Sequence, residues 1–224
     1  MKPSTSRLPD LTRRAFARTN AQTVAQRVML LRELVPDARV ITEICCGDCS
    51  RQHQAYTREL GIQTFRGLDL EPAIVAVNQA AGIECYQGDA LDADTLRRFI
   101  RDDVIFFGPP LSEDCDGHRL LNFDEVVPCY SGFTRLLLGE LLYDGLLVCI
   151  CPNSTNLGDI TRLDHAIRTI RPDFNLPLIH HSYSTLTGNN EITELRLKYI
   201  ELWFSNQSED LWEVRESRDL NLRS

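Results

Sequence analysis

Apolar positions along this chain follow two rhythms: a helical spacing of three and four residues, and short continuous runs of strand length. Val24, Val28, Leu31 and Val35 fall on one face of a helix that Asn20 can cap and Pro36 ends. A strand is expected from Arg39 to Ile44, then a helix from Ser50 to Leu60 with Gly61 as its C-terminal stop. Thr64 to Leu70 reads as a second strand, and Glu71-Pro72 opens a helix to Ala80 with proline at its favoured first position. Ile83 to Tyr86 predicts a third strand, followed by a helix from Asp92 to Ile100 that turns Leu96, Phe99 and Ile100 inward. Asp103 to Phe107 is apolar after its first residue and Leu146 to Ile150 throughout, as suits central parallel strands covered on both faces. Phe133, Leu136, Leu137 and Leu141 mark a further helix face; Leu163, Ala166, Ile167 and Ile170 mark another.

The end of the chain breaks this alternation. Leu178 to Tyr183 and Leu195 to Phe204 read as two strands joined through Gly188-Asn189-Asn190, and the second alternates apolar and polar residues as a strand near a sheet edge does. Five strand–helix units closed by a hairpin predict an α/β three-layer sandwich. Its sheet is mostly parallel and seven-stranded, with a C-terminal antiparallel hairpin. Residues 20–205 are expected to form this one domain, with 1–19 a basic, flexible arm and 206–224 a polar tail.

Charge and cysteine usage narrow the function classes. A net charge of -8 argues against a broad electrostatic footprint for nucleic acid, although Lys2, Arg7, Arg13, Arg14 and Arg18 make the first segment basic. No apolar run is long enough to cross a bilayer, and the first residues lack the apolar core of a secretory signal, so a cytoplasmic location is the expectation. In that setting the eight cysteines read as free thiols rather than a disulfide framework. Cys85 and Cys149 lie in apolar runs, as buried small residues do.

The segment from Val40 to Ser50 concentrates the candidate chemistry. A β-branched strand ends at Glu43-Ile44, a small-residue turn Cys45-Cys46-Gly47-Asp48-Cys49 follows, and a helix starts at Ser50. An open parallel sheet presents a nucleotide-like ligand at its carboxyl edge in this way, because the backbone must come close to the ligand. Asp69 ends the second strand, Gly88-Asp89-Ala90-Leu91 follows the third, and Gly108-Pro109-Pro110 follows the fourth. These four places, in this order, resemble the class I S-adenosylmethionine-dependent methyltransferases over roughly Val24 to Phe204. The family's first motif has an acidic residue followed by three alternate glycines; here Glu43 is followed by Cys45, Gly47 and Cys49 at those positions. The resemblance implies a Rossmann-like fold and S-adenosylmethionine as cofactor. It places Glu43, Cys45, Gly47 and Asp48 around the methionine part, Asp69 and Leu70 at the ribose, and Asp89 and Ala90 at the adenine. A carboxylate suits a vicinal diol because each oxygen can accept one hydroxyl hydrogen.

By the same resemblance Gly108, Pro109 and Pro110 form the reaction-facing loop. Members acting on amides or exocyclic amines carry Asn or Asp before two prolines and an aromatic, and members acting on cytosine C5 carry glycine, two prolines and a cysteine. This chain has Gly108 and Leu111 at the outer positions and so spells neither, while two prolines set a rigid turn whatever the function. In the loop that follows, Asp114, Asp116 or His118 can take a proton from an acceptor, and Asp116 with Asn153 can hold a magnesium ion; a solvated acidic loop is the plain alternative. The implied acceptor is a small molecule or a protein side chain. Two other readings stand beside this one. The chain can be a catalytically inactive binding protein of the same fold. It can also be a cysteine-ligated metal protein in which Cys46-x-x-Cys49, Cys149-x-Cys151 and Cys115 meet at one sheet edge. His180-His181 adds little, since adjacent rings on a strand face opposite ways.

Overall fold

The computed structural model describes residues 19, 21–109, 129–152, 155, 157–188 and 191–206. Its elements are α1 (Ala21–Leu34), β1 (Val40–Ile44), α2 (Ser50–Ala55, continued by a π-helical turn Tyr56–Leu60), β2 (Thr64–Asp69), α3 (Pro72–Ala80) and β3 (Glu84–Gln87). There follow α4 (Ala93–Leu96), β4 (Val104–Phe107), α5 (Tyr130–Thr134, continued by a π-helical turn Arg135–Glu140), β5 (Leu146–Pro152), α6 (Leu157–Ile170), β6 (Asn175–Gly188) and β7 (Glu191–Ser205). Local chemistry sets several of these limits. Gly61 ends the second helix in the left-handed conformation (φ 69°), and the Glu71 carboxylate accepts from Ala73 N–H ahead of Pro72.

The strands form the expected seven-stranded sheet, in the order β3-β2-β1-β4-β5-β7-β6. All pairs from β3 to β5 are parallel, and β7 is antiparallel to both β5 and β6. The order reverses between β1 and β4, which opens a crevice at the carboxyl ends of these strands. Side-chain alternation divides the core into two layers. Ile41, Phe65, Cys85, Phe106, Val148 and Trp203 pack with Val24, Val28 and Leu31 of α1 and Ile74 and Val75 of α3. Ile44, Leu68, Ile105, Phe107, Leu147 and Leu202 pack with Leu96, with Phe133 and Leu137, and with Leu163 and Ile167 of α6. The molecule is thus the expected three-layer α/β sandwich.

The structure corrects two expectations. The helix read over Asp92 to Ile100 is only Ala93–Leu96, because Phe99 N–H bonds to Leu96 C=O and Asp102 N–H to Phe99 C=O, tightening the chain into successive turns. Both hairpin strands are longer than predicted. β7 meets β5 only from Tyr199 to Phe204, and beyond Tyr199 it continues with β6 as a two-stranded ribbon to the Gly188–Glu191 pair. β7 lies near the edge as expected, one place inside the edge strand β6. One of its polar positions, Glu201, is fully buried against a cation rather than facing water. Among the described residues no helix is long and apolar enough to cross a membrane.

Candidate functional site

The turn after β1 is held open-side-up by backbone strain and three independent tethers. Cys45 (φ 59°) and Gly47 (φ 52°) both adopt left-handed backbone, which for a side-chain-bearing residue costs roughly 1–2 kcal/mol. Cys46 N–H bonds to Leu68 C=O at 3.1 Å, and Gly47 N–H to Asp69 Oδ2 at 3.0 Å. The third tether is Asn78 of α3, fully buried: its Nδ2 donates to Gly47 C=O at 2.7 Å and its Oδ1 accepts from Cys49 N–H at 3.3 Å. Asp48 points back to the following helix, where its Oδ1 accepts from Ser50 N–H at 3.2 Å and Ser50 Oγ at 2.6 Å.

Asp69 joins two turns at the tip of β2. Its Oδ1 accepts from Glu71 N–H at 3.0 Å while Oδ2 holds Gly47, and Gly88 N–H bonds to its backbone C=O at 3.0 Å. Burial pushes its carboxyl above the ordinary range, partly offset by these backbone donors. The side chain is half-buried, so part of the carboxylate still faces outward at the strand tip. Next along the edge, the exposed Asp89 accepts from Leu91 N–H at 2.8 Å and Ala90 is buried. A Cβ at Gly88 would sit 2.6 Å from the Thr95 methyl, so a larger residue there would force one of the two to shift. Two apolar side chains flank these acids in the open, Leu70 at 67% and Leu91 at 41% exposure. Cys45 is half-buried, and burial together with Asp69 and Asp89 pushes its thiol up, keeping it neutral beside both carboxylates.

Glu43 lies beneath the turn, in the layer of α1. Arg27 of α1 reaches Glu201 of β7 with Nε at 2.8 Å and Glu43 with Nη1 at 3.6 Å; Gln52 Nε2 donates to Glu43 Oε2 at 3.3 Å and His180 Nδ1 lies 3.3 Å from Glu201 Oε2. Burial opposes the Arg27 charge, but Glu201, Tyr56 and Glu43 more than offset it. Burial also pushes the Glu43 carboxyl up to about 7, against the pull of Arg27; Glu201, equally buried, is held below its usual range by Arg27 and His180.

At the tip of β4, Gly108 N–H bonds to Ile44 C=O at 3.1 Å and Pro109 is buried. A Cβ at position 108 would lie 3.1 Å from Ile150 Cδ1, a tight contact. Pro110, Asp114, Asp116 and His118, with Cys115 and Asn153, lie outside the described residues. The expected convergence of the cysteine pairs does not occur. Cys46 and Cys49 pack in the layer of α1 and α3, whereas Cys149 and Cys151 pack in the layer of α5 and α6, because alternation on the strands sends them to opposite faces. Among the described residues no group of three or more His, Cys, Asp or Glu side chains is arranged to hold a metal ion.

Asn78 and Arg27 were not legible as site residues. The one signal for Asn78 was a polar residue four places after Ile74 on the apolar face of α3.

No family model matches this chain, and none of the curated proteins does. Solved structures do. A candidate RNA methyltransferase from Pyrococcus horikoshii superposes with a TM-score of 0.55 at 12% identity, over 84% of this chain and 86% of that one. A human methyltransferase 10 domain containing protein gives 0.54 at 11% identity, over 85% and 86%. Precorrin-6y C5,15-methyltransferase from Geobacter metallireducens gives 0.50 at 14%, over 85% and 93%. The fold is that of the class I S-adenosylmethionine-dependent methyltransferases; at these identities the likeness speaks for the fold alone.

Proposed function

We propose that this chain binds S-adenosylmethionine across the tips of β1, β2 and β3 and transfers its methyl group to a small-molecule or protein acceptor. The observation that carries this reading is Asp69, whose carboxylate pins the β1 turn from the tip of β2 while remaining half-exposed at the sheet edge. Leu70 and Leu91, apolar and exposed on either side, suit the faces of a purine. Asp69 takes the ribose hydroxyls, Asp89 the adenine amine, and Leu70 and Ala90 flank the nucleoside. The backbone of Cys45, Gly47 and Asp48 receives the methionine end, while Glu43 supports that turn from below.

When bound, the cofactor supplies an electrophilic methyl on a sulfonium. The protein's task in such a displacement is to hold the acceptor in line and exclude water, so few side chains are obligatory. Gly108, Pro109 and Pro110 face the acceptor, and Asp114, Asp116 or His118 takes its proton. A cytoplasmic setting suits the described cysteines, all of them free thiols.

Calorimetry with S-adenosylhomocysteine tests this directly. Wild-type protein is expected to bind, and Asp69→Ala to lose roughly 10- to 100-fold in affinity, the worth of charge-assisted hydrogen bonds. No binding by the wild type would refute the proposal. A second reading, a binding protein without catalysis, is favoured by glycine at 108, which puts no side chain at the tip of β4 to orient an acceptor. Cofactor binding without methyl transfer to any acceptor in a cell extract supports that reading.

A further inference from the structure

Three thiols gather beneath the ligand turn: Cys46 in the turn itself, Cys49 at the cap of α2, and Cys85 on β3. Cys46 Sγ and Cys85 Sγ are 3.8 Å apart, although β2 runs between the strands that lead to them. Gly67 of β2 makes this possible. A Cβ at that position would lie 2.9 Å from Cys46 Sγ and 3.0 Å from Cys85 Sγ, so any larger residue would drive the sulfurs apart. Cys49 is within hydrogen-bonding reach of Cys46. Asn78 Nδ2 touches both sulfurs, at 3.6 Å from Cys46 and 3.8 Å from Cys85, and is the same amide that grips Gly47 C=O. The Cys46 and Asn78 contacts hold the Cys85 thiol below its usual range, which favours the nucleophilic thiolate. The cluster is therefore wired to the turn through one side chain.

We propose that Cys46 and Cys85 form a peroxide-responsive pair whose oxidation to a disulfide displaces the 45–49 turn and weakens ligand binding at the sheet edge. Hydrogen peroxide is the oxidant and is small enough for a buried pair. The Cys85 thiolate attacks one peroxide oxygen, giving a sulfenic acid and releasing hydroxide. The Cys46 sulfur then attacks the sulfenic sulfur; its proton and the departing hydroxyl leave as water. Two thiols and one peroxide thus become one disulfide and two waters. A disulfide needs the sulfurs about 2.0 Å apart. β3 is fixed by its ladder to β2 from Glu84 to Gln87, so the turn must close the gap, and the 3.0 Å bond from Gly47 N–H to Asp69 is the contact that stretches.

The test treats reduced protein with hydrogen peroxide. Non-reducing peptide mapping is expected to link Cys46 to Cys85, with the loss of two hydrogens in the intact mass. Amide exchange at 45–49 is expected to speed up and to return to its starting rate with dithiothreitol. Cys85→Ser is expected to show neither change, and Cys49→Ser to keep the link. The ligand arm rests on the proposed function: affinity for S-adenosylhomocysteine is expected to fall roughly tenfold on oxidation, as when one charge-assisted hydrogen bond is lost. A Cys46–Cys49 link, thiols that stay free, or a Cys46–Cys85 link with unchanged exchange at the turn each overturns the switch. Reduced protein that fails to bind S-adenosylhomocysteine defeats the proposed function instead, and leaves the mapping and exchange results to decide the switch on their own.

Discussion

Replacing Glu43 by glutamine is expected to stabilise this protein at pH 8, even though Glu43 holds the acidic place in the turn motif. The reason is a charge imbalance. One buried cation, Arg27, faces two buried carboxylates and sits closer to Glu201, at 2.8 Å, than to Glu43, at 3.6 Å. Burial raises the Glu43 carboxyl from an ordinary 4.5 to about 7. Between these values the folded state binds more protons than the unfolded state, so stability is fully present below the lower value and is lost as pH climbs through the upper one. The rise corresponds to about 3 kcal/mol at pH 8, shrinking to about 1 kcal/mol at pH 5, where the folded-state carboxyl is protonated and the unfolded-state one is only partly ionised. Glutamine keeps the shape, and its carbonyl can still accept from Gln52. For a chain of this length each kcal/mol moves Tm by roughly 2–4 °C, so scanning calorimetry should place Glu43→Gln roughly 6–12 °C above wild type at pH 8. At pH 5 the gain should narrow to roughly 2–4 °C. A variant no more stable than wild type at pH 8, or an offset equal at both pH values, refutes the argument.

Three further outcomes follow from the same structure. Arg27→Met strands two buried carboxylates and is expected to cost about 3–5 kcal/mol by denaturant unfolding; adding Glu201→Gln is expected to recover most of it. Asn78→Ala frees Gly47 C=O and Cys49 N–H, at about 1–3 kcal/mol, and calorimetry should show weaker S-adenosylhomocysteine binding in parallel. Gly88→Ala drives a methyl against Thr95 and is expected to cost about 1–3 kcal/mol, relieved in the double variant with Thr95→Ser, as thermal melts would show.

Strand and helix order was legible because each element here obeys its own period. The run Val104 to Phe107 announces a doubly covered strand, and Pro72 and Gly61 announce helix limits. The candidate site edge was legible for a related reason: acids and glycines that break apolar runs at strand ends have to lie along one side of a parallel sheet. What escaped the sequence was pairing across distance. Nothing near Glu43 indicates that its partner is Arg27, and nothing near Glu201 distinguishes a buried ion pair from a solvated position. The cysteines escaped for the converse reason. Strand order brings Cys46 and Cys149 to one side of the sheet, on either side of β4, yet they pack in opposite layers.

The bond between Arg27 and Glu201 joins residues 174 positions apart, the first described helix to the last described strand. One buried charge pair therefore ties the two ends of the described fold together, and a chain that stopped before Glu201 would leave Arg27 without the nearer of its two carboxylates.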